Sequence, residues 1–349
     1  MNTKKLLPLA LLPIGIIPLI TISCSSNETT TYFEAEGLKI SSQGMVMGYA
    51  NEGTHPEKLE IKEEYQGVKI TEIEYSAFKN QQINGLTLPK TLVKIGDYAF
   101  ANIISPVANT GETSVPWDLS HLTNLEYIGL GVFAPEINNT KKLNLDLNLS
   151  GLVKLKVINE SSFQSIGITS VDLRGLINLE TISYRSFSGN SIAKIYWPED
   201  NKIKSIGDTA FGGNKLTELN FVSLNSLESI GDSAFAANSI KSIIWNNFSK
   251  IKSIGSSAFS ANQLSGELDL HDLINLESIE ESAFNNNQIT SIKWPTPSQI
   301  KSIALGAFAE NNFGANIPTF PDGLTTETNG GITPEQIFTN RVKKLPSSN

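Results

Sequence analysis

Three segments of this chain repeat one motif: Ser205-Ile-Gly-Asp-Thr-Ala-Phe-Gly-Gly-Asn214, Ser229-Ile-Gly-Asp-Ser-Ala-Phe-Ala-Ala-Asn238 and Ser253-Ile-Gly-Ser-Ser-Ala-Phe-Ser-Ala-Asn262. The motif extends in both directions, and its phenylalanines fall at positions 187, 211, 235, 259, 284 and 308, with successive differences of 24, 24, 24, 25 and 24 residues. A fixed period between about 20 and 50 residues is typical of a solenoid, in which each repeat stacks on its neighbour. The sequence therefore predicts one elongated repeat array.

An isoleucine stands five residues before every anchor phenylalanine, which fixes the register of the repeat. The ten isoleucines are Ile73, Ile95, Ile128, Ile158, Ile182, Ile206, Ile230, Ile254, Ile279 and Ile303. Apolar residues follow each phenylalanine at positions five, eight and ten, as in Ile192, Ile195 and Trp197. This L-x-x-L-x-L pattern predicts a leucine-rich-repeat solenoid of about ten coils. We expect a short parallel β-sheet on its concave side, and turns and short helical turns on its convex side.

Three polar or aromatic columns accompany the repeat. Asparagines recur three residues after six of the phenylalanines, and we expect their amides to bond backbone groups at the turn, although a ligand-binding ladder stays an alternative. Asp208 and Asp232, three residues before their phenylalanines, are expected to cap the helical turns. Trp197, Trp245 and Trp294 recur in every second coil. Core packing is the favoured interpretation of the tryptophans, and an exposed carbohydrate platform is the alternative.

A charged column stands two residues before the anchor isoleucines and alternates in sign. It consists of Glu126, Lys156, Glu180, Lys204, Glu228, Lys252, Glu277 and Lys301. With the tryptophans, this alternation indicates a duplicated pair of repeats. We expect one surface ladder in which opposite charges in adjacent coils fix the register.

The repeated unit Ile-Gly-Asp-x-Ala-Phe-x-x-Asn, running from Ile73 to Asn311, resembles the BspA-type leucine-rich repeat. The whole chain resembles a bacterial surface lipoprotein that carries such an array. The asparagine of the unit is missing after the four earliest anchors, Phe78, Phe100, Phe133 and Phe163. The resemblance implies an adhesin-like role in which the array binds proteins or host surface components without turnover.

The N-terminus has the layout of a lipoprotein signal peptide, predicted over residues 1–23. Two lysines precede an uncharged apolar run that is shorter than the roughly 20 residues of a membrane-spanning helix, and three prolines interrupt it. Thr21-Ile22-Ser23-Cys24 resembles a lipobox, which implies lipidation of Cys24 and anchoring at the extracellular face of the cell membrane. An uncleaved anchor and a secreted protein with a free thiol are the alternatives.

Four segments are predicted after this signal. Residues 24–31 form a polar tether, residues 32–72 a β-hairpin N-terminal cap, residues 73–313 the repeat array, and residues 314–349 a C-terminal cap and tail. Insertions interrupt the array at 101–116 and 135–142. In the tail, Thr333 and Pro334 predict the start of a short helix.

No motif supports catalysis, a cofactor or a metal site. His55, His121 and His271 occupy unrelated places in the repeat frame, and no serine lies in a Gly-x-Ser-x-Gly elbow. The formal charge of -8 argues against nucleic acid as the partner. The chain is therefore not expected to be an enzyme.

A protein surface is the partner that the solvent-facing columns favour, because their side chains are mixed in charge and size. The candidate binding residues on the predicted concave face are Asp172, Lys194, Tyr196, Glu218, Asn220, Ile244, Asp269 and Lys293. Two other roles stay open: a structural surface-coat or assembly lipoprotein, and an accessory or nutrient-capturing lipoprotein. The first would self-associate, and the second would need a deep pocket.

Overall fold

The computed structural model of the chain describes residues 20–23, 29–51, 53, 55, 58–83, 85–103, 118–135, 145–247, 249–314 and 317–339. Cys24, most of both insertions and the end of the C-terminal tail lie outside these residues, so the expectations about them stay predictions. None of the helices in the described ranges has the length and apolar character needed to cross a membrane.

A sheet of 14 strands runs the length of the solenoid. It opens with an antiparallel meander, and the rest of its strands are short and parallel. The meander strands are β1 (Ile20–Ser23), β2 (Thr29–Ala35), β3 (Leu38–Ser41) and β4 (Met45–Tyr49). The N-terminal end of the array thus carries antiparallel strands, as expected of a β-hairpin cap, and the predicted extent of the cap stays a prediction. Its first strand falls in the segment predicted as signal peptide and its second begins in the predicted tether, so those boundaries stay predictions.

Each coil contributes one two-residue strand, ending at the anchor isoleucine, to this long sheet. These strands are β8 (Glu72–Ile73), β10 (Lys94–Ile95), β11 (Tyr127–Ile128), β13 (Val157–Ile158), β15 (Thr181–Ile182), β17 (Ser205–Ile206), β19 (Ser229–Ile230), β21 (Ser253–Ile254), β23 (Ser278–Ile279) and β25 (Ser302–Ile303). Isoleucine pairs with isoleucine from coil to coil, as Ile206 does with Ile230. The predicted register is confirmed.

The L-x-x-L-x-L segments form a second row of strands, which is interrupted. It comprises β5 (Lys58–Glu60), β9 (Gly85–Thr87), β12 (Leu145–Asn148), β14 (Ile168–Asp172), β16 (Lys194–Tyr196), β18 (Glu218–Asn220), β20 (Ser242–Ile244), β22 (Ser265–Asp269) and β24 (Gln288–Lys293). They assemble as β5–β9, β12–β14–β16, β18–β20 and β22–β24. A separate hairpin joins β6 (Glu64–Tyr65) to β7 (Val68–Lys69). The continuous sheet thus follows the anchor isoleucines and not the strands expected from the leucine-rich pattern.

A single column of stacked phenylalanine rings runs through the core, between buried isoleucines and leucines. Their centroids lie between 5.1 Å, for Phe187 and Phe211, and 5.6 Å, for Phe133 and Phe163, and most ring planes are within 13° of parallel. Offset stacking of this kind adds about 0.5 to 1.5 kcal/mol per pair beyond the burial of the rings. The column explains why phenylalanine recurs at one position in every coil.

The turns before each phenylalanine are not helical. The residue two places before the ring has a left-handed backbone, with φ of 55° at Thr209 and 54° at Ser233, and this conformation ends any helical turn. The expected capping by aspartate is wrong: Asp208 Oδ1 accepts the N–H of Asp232 in the next coil at 2.9 Å, so it bridges coils. One helix, α1 (Pro334–Phe338), exists in the described ranges.

Helix α1 closes the C-terminal end of the solenoid. Thr333 caps it in a reciprocal capping box with Gln336, as the sequence predicted. Phe338 stacks on Phe308 at 5.4 Å, which continues the phenylalanine column beyond the last repeat. The backbone N–H of Phe308 donates to the Ile337 carbonyl at 3.1 Å. The helix therefore acts as the cover that a solenoid needs on its apolar end.

Candidate binding face

All eight candidate binding residues lie on the second row of strands, and we call this surface the second-row face. Two columns are formed there. In one, Ser170 of β14 pairs with Lys194 of β16; in the other, Asp172 pairs with Tyr196. The same register brings Asn220 beside Ile244, and Asp269 beside Lys293. The predicted columns exist, but they are divided among three small sheets.

The breaks in the second row of strands coincide with the tryptophans. Each small sheet of the central and C-terminal coils ends at a coil that contains a tryptophan, which we call a tryptophan coil. Strands β16, β20 and β24 are followed directly by Trp197, Trp245 and Trp294. Each is the last strand of its sheet. An indole is wider than the leucine or phenylalanine that fills the same place in the other coils. The row breaks directly after Trp197 and Trp245, so the second-row face consists of one sheet of three strands followed by two sheets of two strands.

The ion pairs of the charged ladder join coils whose second-row strands belong to the same sheet. Lys204 Nζ lies 3.0 Å from a Glu180 carboxylate oxygen, and Lys252 Nζ lies 3.8 Å from Glu228. Lys301 likewise contacts Glu277. The lysine in each case belongs to the tryptophan coil of the pair. At the N-terminal end the expectation is wrong in one detail, because Lys154 rather than Lys156 contacts Glu126, at 3.5 Å.

The ladder also lowers the pKa of two of its glutamates. A hydrogen bond from Lys204 lowers the pKa of Glu180 below its ordinary value, and the charges of Lys204, Lys156 and Lys202 act in the same direction. The pKa of Glu277 is lowered by Lys301 for the same reason. Both carboxylates are thus stabilised in their charged form by lysines of neighbouring coils. The predicted alternation is confirmed, but over the described residues Glu180, Glu228 and Glu277 each form an ion pair with one lysine and not with two.

Tyr196 is the centre of a small cluster of charges on the second-row face. The Lys194 ammonium lies 4.7 Å from its ring centroid, and the Arg174 guanidinium lies 5.2 Å from it. Arg174 also holds Asp172 through two nitrogens, with Nη2 2.6 Å from Oδ2 and Nε 3.0 Å from Oδ1. This hydrogen bond lowers the pKa of the Asp172 carboxyl. Arg174 was missed from the sequence, because it follows β14 and lies in neither column.

The asparagine column has the structural role expected of it. Asn214 Oδ1 accepts the N–H of Ile192 at 3.0 Å, and its Nδ2 donates to the carbonyls of Phe187 and Phe211, each at 3.0 Å. The other members are Asn190, Asn238, Asn262, Asn287 and Asn311, and they repeat this pattern. Their polar atoms are therefore used within the scaffold.

The tryptophans also pack into the core. Trp245 is buried, with 4% of its surface exposed, and the other two are half-buried against the phenylalanine column. Trp197 meets Phe211 edge-on at 5.8 Å, and Trp294 meets Phe308 in the same way. Core packing is confirmed for Trp245 and, in part, for the two half-buried rings.

The three histidines are far apart in the fold. His55 stacks on Tyr49 at 3.6 Å, His121 Nε2 is 2.8 Å from the Leu88 carbonyl, and His271 contacts Asp269. Over the ranges that the structure describes, no group of three or more histidine, cysteine or acidic side chains could hold a metal ion.

These features define a class: a solenoid of stacked coils with parallel strands, a phenylalanine core and asparagine turns. Residues 57–115, 126–265 and 180–314 match the BspA type leucine rich repeat region, in six copies. The chain therefore belongs to the BspA-type leucine-rich repeat family. No curated protein matches its sequence.

Solved structures of three bacterial proteins are similar to this chain. A leucine-rich repeat protein from Bacteroides ovatus is 17% identical, with 85% of this chain and 92% of that chain covered and a TM-score of 0.25. A leucine-rich cell surface protein from Faecalibacterium prausnitzii is 12% identical, with 90% and 97% covered and a TM-score of 0.19. The pneumococcal vaccine antigen PcpA is 16% identical, with 89% and 92% covered and a TM-score of 0.27. None of these likenesses carries an argument about function.

Proposed function

We propose that this protein is a surface-displayed, non-catalytic solenoid that binds a protein or host surface component through its second-row face. The observation that carries the proposal is the contrast between the two kinds of column. Buried columns repeat one residue type from coil to coil. The exposed column of Tyr196, Asn220 and Ile244 changes chemistry at every step.

Such a face suits a protein partner because it is long, rigid and chemically mixed. Ile244 is 52% exposed and Tyr196 is 36% exposed, so apolar surface alternates with polar groups. Central apolar and aromatic side chains surrounded by polar ones are typical of protein interfaces. The backbone beneath is fixed by hydrogen bonds between coils, so little order has to be gained on binding.

The proposed location is the extracellular face of the cell membrane, with the chain anchored through lipid on Cys24. The sequence before Cys24 supports this, since a charged start and an apolar run precede a lipobox-like tetrapeptide. Two acyl chains on one cysteine would give stable attachment where one would be marginal. Replacement of Cys24 by serine should release the protein from membranes. A Cys24→Ser protein that still sediments with membranes after signal cleavage would contradict lipidation.

The binding proposal is tested by capture of partners from host matrix and cell lysate. We expect Tyr196→Ala, Asn220→Ala and Ile244→Ala together to abolish capture of whatever the unaltered protein retains. The matched control carries Ser229→Ala, Ser253→Ala and Ser278→Ala, three substitutions on strands β19, β21 and β23 of the long sheet. The proposal fails if both triple variants capture as the original does.

A further inference from the structure

A cavity lies between adjacent coils on the second-row face, at the break between β16 and β18. These strands belong to different sheets, although their coils are consecutive in sequence. The cavity has a volume of about 500 Å³, and its lining includes Arg174, Lys194, Trp197, Glu218 and Val222. It is large enough for one or two side chains of a partner, and it is open to solvent along one side.

Two opposite charges line this cavity without neutralising each other. Lys194 lies over the ring of Tyr196, and over the described ranges neither it nor Glu218 has an ion-pair partner. The last pair of second-row strands, β22 and β24, behaves differently, since Lys293 bonds Asp269 there at 3.1 Å. Arg174 is already neutralised by Asp172. The ammonium of Lys194 is therefore the cation of the cavity that is free to bind an anionic group.

The floor of the cavity offers an apolar surface and one hydrogen-bond donor. Trp197 is half-buried, and Val222 beside it is 49% exposed. The indole N–H of Trp294 donates to the Thr319 carbonyl at 3.1 Å, and that of Trp245 is enclosed in the core. The indole N–H of Trp197 has no acceptor among the described residues and is not enclosed, so it can donate to a ligand.

The faces of the aromatic rings argue against a sugar. A saccharide stacks on an uncovered aromatic face, but the ring of Tyr196 already carries Arg174 and Lys194. The exposed aliphatic side chains of Val222 and Ile244 prefer an apolar side chain as partner. A polyanion is disfavoured by Glu218, which lines the same cavity.

We infer that this cavity binds a peptide segment that carries an acidic side chain close to an apolar one. The carboxylate would pair with Lys194, and the apolar side chain would pack on Trp197 and Val222. A backbone carbonyl of the peptide would accept the Trp197 N–H, and its backbone N–H groups would face Glu218. The inference rests on the proposed protein-binding function and names the chemistry of the partner.

The experiment is fluorine NMR on the full chain, labelled with 5-fluorotryptophan and held in detergent. The sequence has four tryptophans, and Trp197→Phe assigns the resonance of interest. Two kinds of probe are titrated into the millimolar range. One is a set of capped hexapeptides that carry Asp-Leu, Asn-Leu or Asp-Gly between glycines, and the other is maltohexaose. We expect Asp-Leu to shift the Trp197 resonance with an affinity about tenfold higher than that of Asn-Leu, since charge-assisted hydrogen bonds are the stronger ones.

Two variants locate the carboxylate. Lys194→Met should weaken the Asp-Leu peptide about tenfold. Lys204→Met, at a lysine of the charged ladder that already pairs with Glu180, should leave its affinity unchanged. The inference is overturned if no peptide moves the Trp197 resonance, if Asn-Leu binds as well as Asp-Leu, or if maltohexaose shifts the resonance instead.

These failures differ from a failure of the proposed function. If no peptide shifts the Trp197 resonance while the Tyr196, Asn220 and Ile244 substitutions still abolish partner capture, only the acidic-apolar peptide is excluded as the ligand. If the partner is still captured after those substitutions, the second-row face is excluded as the binding surface, whether or not the peptides bind.

Discussion

The side-chain amide of Asn329 takes the place of a further strand beside Ile303. Its Oδ1 accepts the Ile303 N–H at 2.9 Å, and its Nδ2 donates to the Ile303 carbonyl at 3.0 Å. Ile303 belongs to β25, the last strand of the long sheet. A sheet edge with unpaired backbone groups is a template for pairing with another chain. Asn329 therefore satisfies the outer backbone groups of Ile303 at the C-terminal edge.

Replacing Asn329 by alanine should destabilise the protein by about 1 to 3 kcal/mol, because buried backbone groups of Ile303 lose their partners. The same variant should self-associate more readily. The free energy of unfolding from urea titration and the mass from light scattering measure the two effects. Asn329→Asp keeps the acceptor and loses the donor, so it should also destabilise. A monomeric Asn329→Ala of unaltered stability would contradict this role.

The asparagine column predicts a large difference between two asparagine substitutions. Asn262 accepts the Ile240 N–H and donates to the Phe235 and Phe259 carbonyls within the core, so Asn262→Ala should cost about 2 to 4 kcal/mol. The half-buried Asn178 donates to one backbone carbonyl, that of Val153, and accepts from the Lys202 ammonium, so Asn178→Ala should cost at most about 1 kcal/mol. Urea denaturation compares the two. Equal losses would show that the buried bonds are not the source of stability.

Backbone strain in the turns predicts a stabilising substitution. Ala261 has a left-handed backbone with φ of 54°, whereas the corresponding residue two coils earlier is Gly213. Ala261→Gly relieves a strain of about 1 to 2 kcal/mol and costs about 0.4 to 1 kcal/mol in unfolded-state entropy. We expect a net gain of up to about 1 kcal/mol, seen as a higher melting temperature.

Ala258→Gly is the matched control for this substitution. Ala258 is fully buried and is not among the residues with positive φ, so its replacement should lower the melting temperature. The strain argument fails if both glycine variants are destabilised alike.

The charged ladder predicts how stability depends on pH. The lysines hold the pKa values of Glu180 and Glu277 below their ordinary values, so the folded state releases these protons more readily than the unfolded state does. The resulting stabilisation is complete above the unfolded pKa of about 4.3 and is lost as the pH falls through the folded pKa. The original protein should therefore lose more stability on acidification than the double variant Glu180→Gln, Glu277→Gln.

Urea midpoints at about pH 6.5 and about pH 3.5 measure this difference. Added salt should reduce it, because both carboxylates lie at the surface. Identical pH slopes for the two proteins would mean that the ladder fixes register without contributing to stability.

The sequence alone predicts the repeat, the buried columns and the charged ladder, because each buried position must be filled again in every coil. Phe211 and Asn214 have the same residue type one period away, and Lys204 has the opposite charge one period away and the same charge two periods away. The L-x-x-L-x-L strands follow from the same periodicity, and the family is indicated by the resemblance of the repeated unit to the BspA-type repeat.

Periodicity does not tell which backbone segments keep a constant spacing. The two-residue strands ending at the anchor isoleucines stay paired throughout, while the second row separates after Trp197 and Trp245. The breaks fall directly after tryptophans, and the apolar pattern treats tryptophan and leucine alike. Arg174 and Asn329 were missed for a related reason, since neither recurs with the period and each acts through one particular neighbour.

The pairing of coils limits how such an array can change in length. Loss of residues 205–228 would remove one coil and bring Lys204 next to Lys252, so that two cations would meet on the surface and a tryptophan coil would lie on another tryptophan coil. Loss of residues 205–252 would bring Lys204 next to Glu277 and keep both alternations. Lengthened and shortened forms of this protein should therefore differ from it by even numbers of coils, with a two-coil module as the unit of duplication and deletion.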